Sequence, residues 1–107
     1  MAVSFRPPVE VADAAAYGLA LRAALPPSRR CCTGVGLARA RDLANRRAVS
    51  LRTVRRMRSY FARHAVDAQG RGWGVDSKGW QAWLLWGGDA GAEWVDAVLA
   101  AVDGGLL

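Results

Sequence analysis

The chain has 107 residues and 11.5 kDa, of which 52% are hydrophobic, with five Trp, two Tyr and two Phe: enough for one packed core, too little for two. Fifteen Lys+Arg against nine Asp+Glu leave a formal charge of +6, which favours polyanionic over cationic partners. No apolar run approaches the ~20 residues of a membrane span, and Met1-Ala2-Val3-Ser4-Phe5-Arg6-Pro7-Pro8 lacks the apolar stretch of a secretory signal, so a soluble intracellular protein is expected.

The charge is unevenly placed along the chain. Residues 1–28 balance Arg6 and Arg22 against Glu10 and Asp13, and residues 64–71 balance Arg71 against Asp67. Residues 29–63 set eleven arginines against Asp42 alone, a surplus of ten. Residues 72–107 set Lys78 against Asp76, Asp89, Glu93, Asp96 and Asp103, a deficit of four. A basic middle therefore precedes an acidic tail, and the tail is itself a candidate counterion through Glu93 or Asp96.

Pro7-Pro8 followed by Val9, Ala12, Ala16, Leu19, Ala20 and Ala23 at three- and four-residue spacing predicts a helix over 8–25, stopped by Pro26-Pro27. The stretch from Ser28 to Gly36 reads as a loop. A second helix is expected over 35–46, from Val35, Ala38, Leu43 and Ala44, fraying at Asn45. Ser50 is a suitable N-cap for a third helix over 51–64, in which Leu51, Val54, Met57 and Phe61 share one side. Arg52, Arg55, Arg56 and Arg58 fall outside that stripe. Residues 67–79 are too glycine-rich for a helix and read as an ordered loop around Trp73. Trp80, Trp83 and Leu84 mark a short helix or turn, broken by Gly87-Gly88. Asp89 is placed to cap a last helix whose Trp94, Val98, Ala101 and Val102 lie on one side. No segment alternates like a half-buried strand. The expected fold is all-α, a single domain over 1–107 of four or five short helices. Within it, 7–64 form a basic three-helix part, 65–79 a Gly-rich loop and 80–103 a Trp-rich helical part.

Arginine suits phosphate because its guanidinium offers paired donors, and a dense set of such cations displaces condensed counterions from a polyanion. Arg46, Arg47, Arg52, Arg55, Arg56, Arg58 and Arg63 are the candidate nucleic-acid contacts; a solvated helix face is the plainer account. A helix-turn-helix built from helices two and three would lack a base-reading Gln or Asn on its second helix. Thr33-Gly34-Val35-Gly36 has the glycines of a phosphate cradle but not the Gly-Lys-Ser/Thr ending, so a permissive turn accounts for it. Trp80, Trp83 and Trp94 read as core, while Trp73 and Trp86 flank glycines and are either core plugs or stacking and partner contacts. His64 closes the basic helix, where an imidazole serves terminal carbonyls. Adjacent Cys31 and Cys32 read as reduced thiols. Neither a catalytic set, a metal site nor a cofactor is expected from these spacings.

Three runs carry a likeness. They are Gly36-Leu37-Ala38-Arg39-Ala40-Arg41-Asp42-Leu43-Ala44-Asn45, then 50–64, then Ala82-Trp83-Leu84-Leu85-Trp86-Gly87-Gly88-Asp89-Ala90-Gly91 with Trp94. In this order they resemble a small module of tailed bacteriophages and prophages that often accompanies putative phage head-maturation proteases and also stands alone. The resemblance covers roughly residues 9–100, and Trp-Gly-Gly-Asp-Ala-Gly is its most specific string. It implies a phage or prophage source, a place in the cytoplasm of an infected or lysogenic bacterium or in the virion, and an association with head assembly or DNA handling. It brings no catalytic residue, since the protease chemistry belongs to a neighbouring domain. The leading expectation is a non-enzymatic module binding nucleic acid, mainly through phosphates. The alternatives are a virion or assembly protein that docks its Trp-Gly-Gly turn and last helix on a capsid or scaffold partner, and a small enzyme or host-defence antagonist.

Overall fold

Helix α1 (Val9–Ala24) starts directly behind Pro8 and ends at Leu25, before Pro26-Pro27, within one residue of the expected 8–25. Its buried face is built from the small residues Val11, Ala12, Ala15 and Gly18. That choice sets a close crossing: a Cβ on Gly18 would lie 2.8 Å from Leu84 Cβ. A computed structural model describes residues 3–106.

A 3-10 turn (Pro27–Arg29) leads to α2 (Gly34–Ala44), which begins and ends slightly earlier than the expected 35–46. After α2 the chain turns at Arg46, whose backbone is left-handed with φ 54°. Residues Val49–Ser50 (β2) then pair antiparallel with Ser4–Phe5 (β1), Ser4 opposite Ser50 and Phe5 opposite Val49. This two-residue ladder was not expected, and it is too short to show as alternation in sequence. It pins the N-terminal segment beside the entry to α3.

Helix α3 (Leu51–His64) has the expected bounds, and Ser50 Oγ accepts from the Thr53 backbone N–H at 3.1 Å. Val54, Met57, Tyr60 and Phe61 are buried, while Leu51 is only partly covered. A 3-10 turn (Ala65–Gln69) and a run of turns through Asp76 occupy the expected Gly-rich loop. Helix α4 (Lys78–Leu85) is capped by Ser77 Oγ, which accepts from Trp80 N–H at 3.1 Å. Helix α5 (Gly88–Asp103) completes the fold. Five α-helices and one minimal strand pair make this a single all-α unit among the described residues.

Val11, Leu43, Val54, Met57, Phe61, Trp83, Val95 and Leu99 form the main core. Each such side chain contributes about 1.5–3 kcal/mol on burial, against about 0–1 for an exposed ion pair, so packing rather than surface charge holds the helices together. Trp83 is buried as expected, and Trp80 and Trp94 pack partly buried against the same cluster.

The Trp86-Gly87-Gly88-Asp89-Ala90-Gly91 string is explained by close approach. Gly87 has φ 115°, and a Cβ there would meet Val11 Cγ1 at 2.9 Å. A Cβ on Gly88 would meet Ala14 Cβ at 3.0 Å, and one on Gly91 would meet Phe61 Cζ at 3.1 Å. The turn is therefore folded against α1 and α3. Asp89 does not cap α5; Gly87 holds the N-cap position, and Asp89 Oδ1 accepts from Trp83 Nε1–H at 2.8 Å.

Cys31 and Cys32 are joined in a disulfide, which corrects the expectation of reduced thiols. Cys32 takes φ 75°, a left-handed backbone that accommodates the bridge between neighbouring residues. No helix among the described residues is long and apolar enough to cross a membrane.

Candidate nucleic-acid interface

On α3 the core residues leave one face free. Arg52, Arg56, Ser59 and Arg63 follow one another at spacings of four, three and four, so they form a single column on the side turned away from Met57 and Phe61. Arg55 stands beside that column. Facing it is the first turn of α2, with Thr33, Val35, Gly36 and Arg39. Between them lies an open cleft of about 890 Å³ lined also by Leu51 and by Trp86. Five arginines line the cleft, Arg39, Arg52, Arg55, Arg56 and Arg63, and no carboxylate is among its lining residues.

Trp86 forms part of the lining from the end of α4. Its ring stacks on Tyr60 with centroids 4.5 Å apart and planes 8° from parallel. The Arg39 guanidinium carbon lies 5.8 Å from the Trp86 ring centroid. Tyr60 fills one face of the indole, leaving the other to Arg39 and the cleft. The tyrosine is itself stacked on His64 and lies edge-on to Phe61, so the indole rests on a packed aromatic support. Burial, with a smaller contribution from the Asp67 charge, raises the Tyr60 phenol well above its usual pKa.

The other expected site residues separate into groups. Arg52, Arg55, Arg56 and Arg63 reach the cleft together, whereas Arg46 and Arg47 are absent from its lining. Arg46 Nε–H donates to Pro7 O at 2.9 Å, and Arg47 pairs with Asp42 at 3.5 Å. Arg58 lies toward α5 and pairs with Asp96 at 3.4 Å, while Arg55 pairs with Asp103 at 3.2 Å. The acidic tail thus meets the basic helix, through Asp96 as expected and through Asp103 as well. Arg52 and Arg56 form no ion pair among the described residues. Trp73 packs edge-on against Trp80 and Trp83, with centroids 5.0 and 5.5 Å away, and is partly buried there rather than lining the cleft.

Arg39 and Gln81 were not singled out from sequence, whereas Thr33-Gly34-Val35-Gly36 was weighed there as a phosphate cradle and assigned to a permissive turn. Arg39 and the 33–36 segment are brought to the cleft by α2, whose first-turn N–H groups at Gly34, Val35 and Gly36 precede the first intrahelical bond, Leu37 N–H to Thr33 O. Gln81 is fully buried and ties three backbone groups together. Its Nε2 donates to Arg29 O and Asp76 O, each at 3.0 Å, and its Oε1 accepts from Cys31 N–H at 3.0 Å. These bonds hold the 29–33 loop, and hence the approach to α2, against α4. Arg29 and Asp76 form an exposed ion pair across the same junction. A lone amide inside Trp80–Leu85, otherwise apolar, was the available signal.

His64 does not serve the helix-terminal carbonyls as expected; its Nδ1 lies 3.0 Å from Asp67 Oδ2 in the following 3-10 turn. No cluster of three or more His, Cys, Asp or Glu that could hold a metal ion occurs among the described residues. Comparison with protein-family models, curated proteins and solved structures finds no match for this chain.

Proposed function

We propose that this chain binds nucleic acid, chiefly through phosphate contacts, on the cleft face of α3, and that it does so without catalysis. The supporting observation is the convergence of five arginines from two helices on one cleft whose lining contains no carboxylate. Four of the five, all but Arg55 with its Asp103 partner at the rim, form no ion pair among the described residues, and phosphate oxygens match their paired donors. The first turn of α2 adds a favourable partial charge at the same place. The phage-module likeness is compatible with DNA handling. Docking of the Trp86-Gly87-Gly88 turn on a capsid or scaffold partner has less support, because Gly87, Gly88 and Gly91 are buried against the chain's own helices.

Binding of a labelled DNA duplex and of its single strand at about 50 and 200 mM salt tests the reading. If Arg52, Arg55, Arg56 and Arg63 each neutralise a duplex phosphate, affinity falls with a log–log slope of about −3 to −4. Joint replacement of Arg52 and Arg56 by Ala should flatten that slope by about 2 with the helical circular dichroism unchanged. Absence of binding at low salt, or a slope indifferent to the double replacement, overturns it.

A further inference from the structure

The cleft contains more than cations, and its aromatic and aliphatic parts are unexplained by phosphate binding. Val35 is 78% exposed on one wall, Leu51 is only partly covered, and the Trp86 indole presents one face. A duplex offers such surfaces no free base face, because its bases are stacked on one another and only their edges, with thymine methyl groups, are exposed in the grooves. Helix α3 also contains neither Asn nor Gln, the residues that read adenine in a major groove. An unpaired strand supplies both parts at once: flat apolar bases and a flanking line of phosphates.

We propose that the cleft is a single-strand site, in which an unpaired base stacks on the cleft-facing side of Trp86 while neighbouring phosphates engage Arg52, Arg56 and Arg63. This rests on the nucleic-acid reading above and specifies its substrate. The place of the base is now held by Arg39, whose guanidinium lies 5.8 Å from the ring centroid. A cation–π contact at an exposed site is worth about 0.5–1 kcal/mol, and a base stacked on an aromatic about 1–3. The base therefore displaces Arg39, which then becomes a partner for the base's outer face or for a phosphate. Tyr60, parallel to the indole at 4.5 Å, supports the ring from behind, so the stacking surface is in place before the strand arrives. From Arg52 to Arg63 the column of guanidinium groups extends about 16 Å along α3, enough to follow a strand past the stacked base.

The test compares four probes by fluorescence anisotropy: single-stranded DNA, single-stranded RNA, a DNA duplex, and a DNA strand carrying abasic sites in place of its bases. The unaltered protein should bind base-bearing single strands several-fold more tightly than the abasic strand, the gain from one stacked base less the displaced Arg39 contact, and more tightly than the duplex. Trp86→Leu should reduce single-strand affinity to the abasic level and leave abasic binding unchanged; Trp86→Phe should recover part of the loss. A preference for RNA or for DNA identifies the source of the strand, and either supports the proposal. If Trp86→Leu does not fold, the abasic comparison on the unaltered protein still decides. Equal affinity for abasic and base-bearing strands, or for duplex and single strand, overturns the single-strand assignment while leaving phosphate binding standing. No binding of any probe at low salt overturns both.

Discussion

Arg55 Nη2 lies 3.2 Å from Asp103 Oδ1, which brings the last turn of α5 to the rim of the cleft. The carboxylate sits at a helix C-terminus, where the backbone dipole disfavours negative charge, and the pair offsets that cost. Both side chains are at least half exposed, so the pair adds at most about 1 kcal/mol to folding. Its larger effect is on any polyanion, which must compete with it. Asp103→Asn should raise nucleic-acid affinity about 2- to 5-fold at low salt, the equivalent of about 0.5–1 kcal/mol, with little change in melting temperature. The salt titration described above measures this, and an unchanged affinity would show that Arg55 is not engaged.

Gln81→Leu should be among the more damaging single replacements. It removes the partner of the buried Cys31 N–H and of the partly buried Arg29 and Asp76 carbonyls, and the Gln81 side chain is itself fully buried. Each orphaned group costs about 1–3 kcal/mol, so a fall in melting temperature well beyond about 5 °C is expected by calorimetry. A fall of only a degree or two would mean that the two loops are held by other contacts.

Two glycines should respond in opposite senses to alanine. Gly87→Ala forces a Cβ to 2.9 Å from Val11 Cγ1 at a φ of 115°, combining overpacking with a disfavoured backbone. A loss of about 2–4 kcal/mol in denaturant unfolding is expected. Gly34→Ala meets nothing within 4 Å in the first turn of α2 and should be neutral or stabilising by up to about 1 kcal/mol.

Tyr60 makes stability decline at high pH. Its folded-state pKa is raised, so the native state holds its proton where the unfolded chain releases it. The resulting stability is complete below about pH 10, the ordinary phenol value, and is lost progressively as pH rises beyond it. The hydroxyl has no hydrogen-bond partner among the described residues, so Tyr60→Phe removes an unsatisfied buried oxygen as well as the titration. At neutral pH the variant should be at least as stable as the parent, and its stability should fall less between about pH 10 and 11. Parallel pH profiles for the two proteins would contradict this.

What the residues reveal in order is local. Helix α3 is legible because Ser50, the apolar spacing and the intervening arginines all lie within a few turns of one another. Arg46 and Arg47 look equivalent to Arg52 and Arg56 in a charge count. They part only because the chain reverses at Arg46 and spends its guanidinium on Pro7 O, 39 residues back. The cleft itself could not be read, since it is assembled from 33–39, 51–63 and Trp86. The two-residue strand pair carries too few residues for a period, and nothing in adjacency alone indicates that Cys32 adopts the backbone that closes a bridge to Cys31. Gln81 and the three close-packed glycines of the Trp-Gly-Gly string were visible as letters but not as contacts.

Gln81 gives one flank of the molecule a shared fate. Because a single side chain bonds both the segment leading into α2 and the end of the glycine-rich turns, outward movement of either leaves part of the same buried amide without a partner. Opening of the two segments is thereby coupled through one amide, and the approach to the α2 wall of the cleft is tied to α4.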